Sequence, residues 1–459
     1  MTARLTFGQA DFDTQLSALL NSRNVDAADV SQAVKIIMGD VLNRGDKALI
    51  DYTKKFDRLT LTPSPLAGEG GDEGVLNQNA SLSSPLTQPS PAGGEGFSIR
   101  ITVAQMATAE KECSPEVRAA LEVAAARIRA YHEAQKPTNH RYVDDAGVTL
   151  GWQYAPLESV GIYVPGGKAS YPSSVLMNAI PAVVAGVGRI VMVVPTPDGI
   201  INPAILVAAK LAGITEIYRI GGAQAVAALA YGTASIAPVV KIVGPGNAYV
   251  AEAKRQVYGT VGIDTIAGPS EILVVADAQN PPTWIAADLM SQAEHDEMAQ
   301  SILITNDAGF ADAVAAEVEA LLAVLPKAAI ARKSWQNHGG IIVVNHLSEA
   351  LPIIATIAPE HLELAIDDAD NFAGHVRNAG AIFLGRHTPE AVGDYIAGPS
   401  HVLPTSRAAR FSSGLSVFDF LNRTSLIGAG EKSPLLEMAA TLADSEGLGA
   451  HAISLRLRT

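Results

Sequence analysis

The chain has 459 residues, 47 acidic against 33 basic, for a formal charge of −14. That length exceeds one small core and suggests about two to four domains, and the charge excludes nonspecific binding to phosphate backbones, which needs clustered Lys and Arg. With 48% hydrophobic and 17% charged residues the composition is that of a soluble globular protein. No apolar run approaches the roughly 18 residues that span a bilayer, and the opening Met-Thr-Ala-Arg-Leu-Thr-Phe lacks the apolar core of a secretion signal. Cys113 is the single cysteine, so neither an intrachain disulfide nor a Cys-x-x-Cys pair exists. A cytoplasmic protein is expected, with no nucleic-acid or membrane partner.

Residues 1–29 read as a short helical arm, with apolar residues at helical spacing from Phe12 to Leu20. Two helices follow from Val30 to Phe56, with Ser31 as an N-cap for the first. The stretch 61–96 is rich in Pro, Gly and Ser and partly repeats itself, LTPSPLAGEG against LTQPSPAGGEG. It has too little apolar surface to offset chain entropy and reads as a disordered insertion. Ser98–Val103 reads as a strand, and Ser114-Pro115-Glu116 starts a helix reaching about Gln135.

From Gly151 strands and helices alternate. Val160–Val164, Arg189–Val194, Glu216–Ile220 and Lys241–Val243 are apolar runs, each followed by a helix. Such runs indicate a parallel sheet buried on both faces. Three of them end in Gly-rich turns, at 166–167, 221–222 and 244–246, where open α/β sheets bind ligands. Neither Gly-x-Gly-x-x-Gly nor a P-loop is present, so a dinucleotide reading rests on strand ends and helix N-termini alone.

A second α/β unit follows: strands at Glu271–Val275, Ser301–Thr305, Gly340–Val344 and Ala381–Leu384, with a helix that starts at Pro281-Pro282 and ends in the stretch Asp288–Asp296, and others at Ala311–Leu325 and 348–357. The first unit interrupts it in sequence. The last forty or so residues read as helical, closing on a strand from Ile453 to Leu457.

The polar candidates are Gln292, His295, Glu360, His361, Asp394, His401, Glu446 and His451. Gln292 and His295 are three apart, hence on one face of a helix. Two His with a carboxylate form an oxygen/nitrogen set suited to zinc. Adjacent Glu360 and His361 are an acid/base pair if a turn presents them, and two exposed loop residues otherwise. Spacing alone does not show that these residues converge.

The segments VGIYVPGGKASYPSSVLMNAIPA, RIGGAQAVAALAYGT, KIVGPGNAYVAEAKRQVYG, AGPSEILVVAD, DLMSQAEHD, APEHLEL, GDYIAGPSHVLPT and EGLGAHAISLR, in that order, resemble histidinol dehydrogenase. The resemblance covers nearly the whole chain apart from 61–96. It implies a zinc-dependent homodimer that oxidises L-histidinol to L-histidine with two NAD. By position it implies Gln292, His295, Asp394 and His451 as zinc ligands, His451 and Glu446 being reached from the partner subunit. Ser270, His361 and Glu446 would join the ligands around the substrate; Tyr163, Gln224 and Asn247 would contact NAD; Glu360 and His361 would be the catalytic pair. His401 is left without a firm role.

The fold expected is α/β, with two incomplete Rossmann-like parallel-sheet domains, one inserted in the other. The corresponding division is an arm at 1–29, a main domain from 30–162 and 270–415 that carries the zinc and catalytic site, an NAD-binding domain at 163–269, and a C-terminal domain at 416–459. Competing readings are a zinc/NAD dehydrogenase of another amino alcohol or a sulfonate analogue, a zinc hydrolase, and a noncatalytic nucleotide binder.

Overall fold

The apolar runs of the sequence pair into two separate parallel sheets. The computed structural model describes residues 2–23, 28–58, 99–166, 170–430 and 433–459; the expected insertion at 61–96 lies outside them.

The first sheet has five strands in the order Glu216–Tyr218, Arg189–Val193, Ser159–Tyr163, Lys241–Val243, Gly262–Ile263, all parallel. Ser159–Tyr163 is buried along its whole length, because side chains of opposite parity meet different layers. Val160, Ile162, Met192 and Val194 face the helices Pro172–Ala185, Pro203–Leu211 and Pro115–Ala134. Tyr163, Val191 and Val193 face Gly222–Tyr231, Ala248–Val257, Ala28–Arg44 and Asp46–Asp57. The helices of 28–134 therefore cover this sheet, whereas the expected division grouped them with the other one. Their apolar stripes, Val34, Met38 and Leu49 on one side and Leu121 and Ile128 on the other, have these two faces as partners.

The second sheet has six strands in the order Ala3–Thr6, Gly340–Val343, Gln300–Thr305, Glu271–Ala276, His361–Ala365, Ala381–Leu384, again all parallel. One face packs on the helices Phe12–Asn21 and Ala350–Ile357, the other on Pro282–Ala293, Ala308–Leu322 and Ala328–His338. The chain lays strands outward from Glu271–Ala276 on one side and from His361–Ala365 on the other. The switch point of this sheet lies between those two strands. A third, antiparallel sheet joins His140–Val143, Thr149–Pro156 and Leu421–Gly428.

Several local expectations are corrected. The segment read as a helical arm begins with the edge strand Ala3–Thr6, too short for its alternation to register, in which Leu5 points into the core. Ser31 lies inside the helix Ala28–Arg44 rather than at its start. In the stretch 98–103, among the described residues, only an isolated bridge of Arg100 to Tyr218 forms, and Thr102 then caps the helix Val103–Glu112 through a reciprocal box with Gln105. Ile453–Leu457, read as a strand from its period of two, belongs mostly to the helix Gly449–Arg456, which packs Ala452 against Ala440 and Ala443. The helix Ala328–His338 was not anticipated.

Candidate active site

The helix Ala350–Ile357 ends in a left-handed Ala358 (φ 46°), and Pro359 turns the chain into the strand that starts at His361. Glu360 and His361 thus sit at the amino end of a central strand, 6% and 4% exposed. Both are held by the backbone of one residue on the neighbouring strand. The Glu271 N–H donates to Glu360 Oε2 at 2.8 Å, and the Glu271 carbonyl lies 2.9 Å from His361 Nδ1. A carbonyl only accepts, so Nδ1 carries the hydrogen and Nε2 presents a lone pair. Burial lowers the proton affinity of His361. Burial and then the Glu271 charge raise that of Glu360 well above the usual carboxylate range.

Gln292 closes the helix Pro282–Ala293, whose carboxyl end returns to the same end of the sheet, and His295 follows one turn later. Gln292 is 1% exposed, its Nε2 is 3.4 Å from His361 Nδ1, and its Oε1 has no hydrogen-bond partner. His295 is exposed in the single chain, but the groups packed around its ring outweigh the charge of Asp394 and lower its proton affinity. Asp394, in the short helix Ala391–Tyr395, brings its carboxylate within 4.8 Å of ligand atoms of His361 and Glu390, a donor set able to hold a metal ion. The expected ligands and this cluster share Asp394 and differ elsewhere. Glu390 is buried and its proton affinity is raised, first by burial and then by the Asp394 charge. Gln292 offers a buried oxygen with nothing else to bind.

Sequence reasoning missed Glu271, Glu363 and Glu390. Glu390 Oε1 is 3.5 Å from His361 Nε2. Glu363, buried within the strand of His361, accepts from the Glu390 N–H at 3.2 Å and shares a hydrogen bond with Asp288. The only signal for Glu271 and Glu363 was a carboxylate inside an otherwise apolar run.

His401 acquires a place. Its Nδ1–H donates to the Asp394 carbonyl at 2.9 Å, and the Ser174 hydroxyl donates to its Nε2 at 3.0 Å. Ser174 lies in the first turn of Pro172–Ala185, the helix that follows the central strand of the five-stranded sheet. Ser270 abuts Glu271, and its carbonyl accepts from Gln300 N and Arg23 Nη1. Glu446 and His451 are not brought in: both are exposed on the terminal helix pair, and no side-chain hydrogen bond or ion pair ties either to the cluster.

On the five-stranded sheet, Tyr163 ends the central strand, Asn247 follows the neighbouring strand Lys241–Val243, and Gln224 lies in the first turn of Gly222–Tyr231. The first two flank the switch point. The Gly222 N–H donates to the Tyr163 hydroxyl at 2.9 Å, and burial pushes that phenol up to about 12. Gly244 has φ 110°, and a Cβ there would fall 2.1 Å from the Tyr163 carbonyl oxygen, so only glycine fits. Asn247 caps the helix Ala248–Val257 by accepting from Tyr249 N and Val250 N. Gln224 is buried with Oε1 unpartnered, folded back over Gly222.

A profile of the histidinol dehydrogenase family matches residues 68–459. The histidinol dehydrogenase of Rhodospirillum rubrum is 54% identical over 461 residues, covering 100% of this chain and 99% of that protein. That of Bradyrhizobium diazoefficiens is 53% identical over 460 residues, with the same coverage. The crystal structure of histidinol dehydrogenase from Elizabethkingia anophelis superposes with a TM-score of 0.88 at 33% identity, over 100% of this chain and 98% of that one. By profile, sequence and fold together, the chain belongs to the histidinol dehydrogenase family.

Proposed function

We infer that the chain oxidises L-histidinol to L-histidine through L-histidinal, using two NAD and one water, as a zinc-dependent homodimer in the cytoplasm. The observation that carries this reading is the convergence on one strand end of Glu360, His361 and Asp394 with the unpartnered amide oxygen of Gln292.

Gln292, His295 and Asp394 would hold the metal, with His451 reached from the partner subunit. When bound, zinc supplies a Lewis acid that orients the substrate's imidazole and amine, and NAD supplies the hydride acceptor. His361, neutral because it is buried, takes the substrate hydroxyl proton on Nε2 as the first hydride leaves. Glu390 Oε1, 3.5 Å from Nε2, faces the imidazolium this creates. The aldehyde must then add water before a second hydride can leave. Glu360, whose carboxylate is aimed by the Glu271 N–H, takes the water proton. Ser270, with Glu446 reached from the partner subunit like His451, would complete the substrate pocket, and Tyr163, Gln224 and Asn247 would form the nucleotide side.

Support for the dimer lies in the terminal helix pair. It packs on itself through three alanines and leaves Met438, Leu442 and Ile453 more than 60% exposed in the single chain. No helix among the described residues is long and apolar enough to cross a membrane.

The direct test is NADH formed per histidinol consumed, before chelation, after it, and after zinc is restored. Two NADH, lost with chelation and recovered with zinc, are expected. No NADH from zinc-loaded protein with NAD and histidinol would overturn the reading.

A further inference from the structure

Arg23, just beyond the helix Phe12–Asn21, reaches the entry of the strand that organises the catalytic pair. Its Nη1 donates to the Pro269 carbonyl at 3.2 Å and the Ser270 carbonyl at 3.4 Å, and its Nη2 pairs with the Glu271 carboxylate. The two side chains are 8% and 7% exposed. From the other side the Ser406 N–H donates to Glu271 Oε1 at 2.7 Å, and the Gly268 N–H donates to Thr405 Oγ1 at 2.6 Å. The segment 268–271 is thereby clamped at both ends of its turn. Glu271 hydrogen-bonds the catalytic groups through its backbone, with its N–H on Glu360 and its carbonyl on His361, while its carboxylate charge also bears on Glu360.

We propose that Arg23 is a positioning residue for the reaction: by fixing Glu271 and Ser270 from the N-terminal segment, it sets the backbone N–H and carbonyl that aim Glu360 and His361. This rests on the catalytic reading above. A residue that touches neither substrate nor base then acts through the two peptide groups that flank one Cα. A misplacement of about 1 Å at reacting groups can cost about a hundredfold in rate. Arg suits the task because its planar fork serves two carbonyls and a carboxylate at once, which a lysine ammonium does only in part.

The test compares the zinc-loaded wild type with Arg23→Met and Arg23→Lys, measuring kcat and KM for histidinol and for histidinal, KM for NAD, zinc content and thermal midpoint. For Arg23→Met, kcat on both substrates should fall about 10- to 100-fold while KM for NAD and zinc content stay unchanged. Arg23→Lys should recover part of the loss. Wild-type kcat in Arg23→Met would overturn the proposal. So would losses in Arg23→Lys that track its thermal midpoint and spread equally over kcat, NAD affinity and zinc content, since that pattern marks a merely structural residue. An inactive wild type would instead fail the catalytic reading itself, so the two failures are distinguishable.

Discussion

The hydroxyl of Ser174 lies 3.0 Å from Nε2 of His401, and this contact links the first helix of the five-stranded sheet to the aspartate of the candidate metal cluster. His401 is locked in one tautomer between a donor and an acceptor. The half built on the five-stranded sheet therefore bears on the half built on the six-stranded sheet through an oriented imidazole.

Replacing His401 by Ala frees the Asp394 backbone and should weaken zinc binding about 10- to 100-fold. Ser174→Ala should do the same to a smaller extent. Competition for zinc against a chromogenic chelator measures both; wild-type retention in His401→Ala would show that Asp394 is fixed by other means.

The two catalytic residues should separate by step. Glu360→Gln removes the base for hydration and should slow oxidation of histidinal by about 10²- to 10⁴-fold while the first hydride step proceeds. His361→Asn should slow the first step as well. Rapid-quench counting of NADH from histidinol and from histidinal distinguishes them, and an unimpaired second step in Glu360→Gln would remove Glu360 from that role.

Glu363 gives a prediction for stability against pH. Burial, and then the charge of Asp288, raise its proton affinity in the fold. The folded state then keeps a proton that the unfolded chain releases above about pH 4.3. Its contribution is complete below that pH and is lost as pH rises toward the folded value. Glu363→Gln keeps the shape and removes the titration, so it should raise stability at pH 8 by on the order of 2 kcal/mol and leave it unchanged near pH 4. Equal melting shifts at both pH values would contradict this.

If each site takes His451 from the other subunit, two inactive variants should complement. Mixing His361→Asn with His451→Ala under conditions of subunit exchange should restore activity, because one site of each mixed dimer is intact. Random pairing gives about a quarter of the wild-type sites. Assays of the mixture over time measure it, and no recovery despite exchange would argue for a site within one chain.

Most strands of the two parallel sheets were legible because they are apolar runs, as at Ser159–Tyr163 and Glu271–Ala276; His361–Ala365, which opens on two polar residues, and the two-residue Gly262–Ile263 were not read as strands. The edge strand Ala3–Thr6 was not, since four residues of mixed polarity acquire strand geometry only from Gly340–Val343 beside them. Ile453–Leu457 misled because alternation over five residues fits a strand and one side of a short helix alike. In the site, helical spacing said only that Gln292 and His295 lie close together; the roles expected of Gln292, His295, Asp394, Glu446 and His451 came from the family resemblance. Glu271 was invisible because its backbone does the holding, and backbone contacts leave no mark on side-chain identity. Glu390 gave no pattern either; its place depends on a loop meeting the strand of His361 from across the sheet.

The pairing of Ala3–Thr6 with Gly340–Val343 fixes an order of events in biogenesis. The five-stranded sheet draws every strand from residues 159–263, so it has all its partners as soon as that stretch leaves the ribosome. The six-stranded sheet gains its outer edge only when the first residues made meet residues made much later, a closure of high contact order. Until then the nascent N-terminal strand, and the Arg23 that follows it, have no seat. The six-stranded sheet is therefore completed only after every strand of the five-stranded sheet has been made.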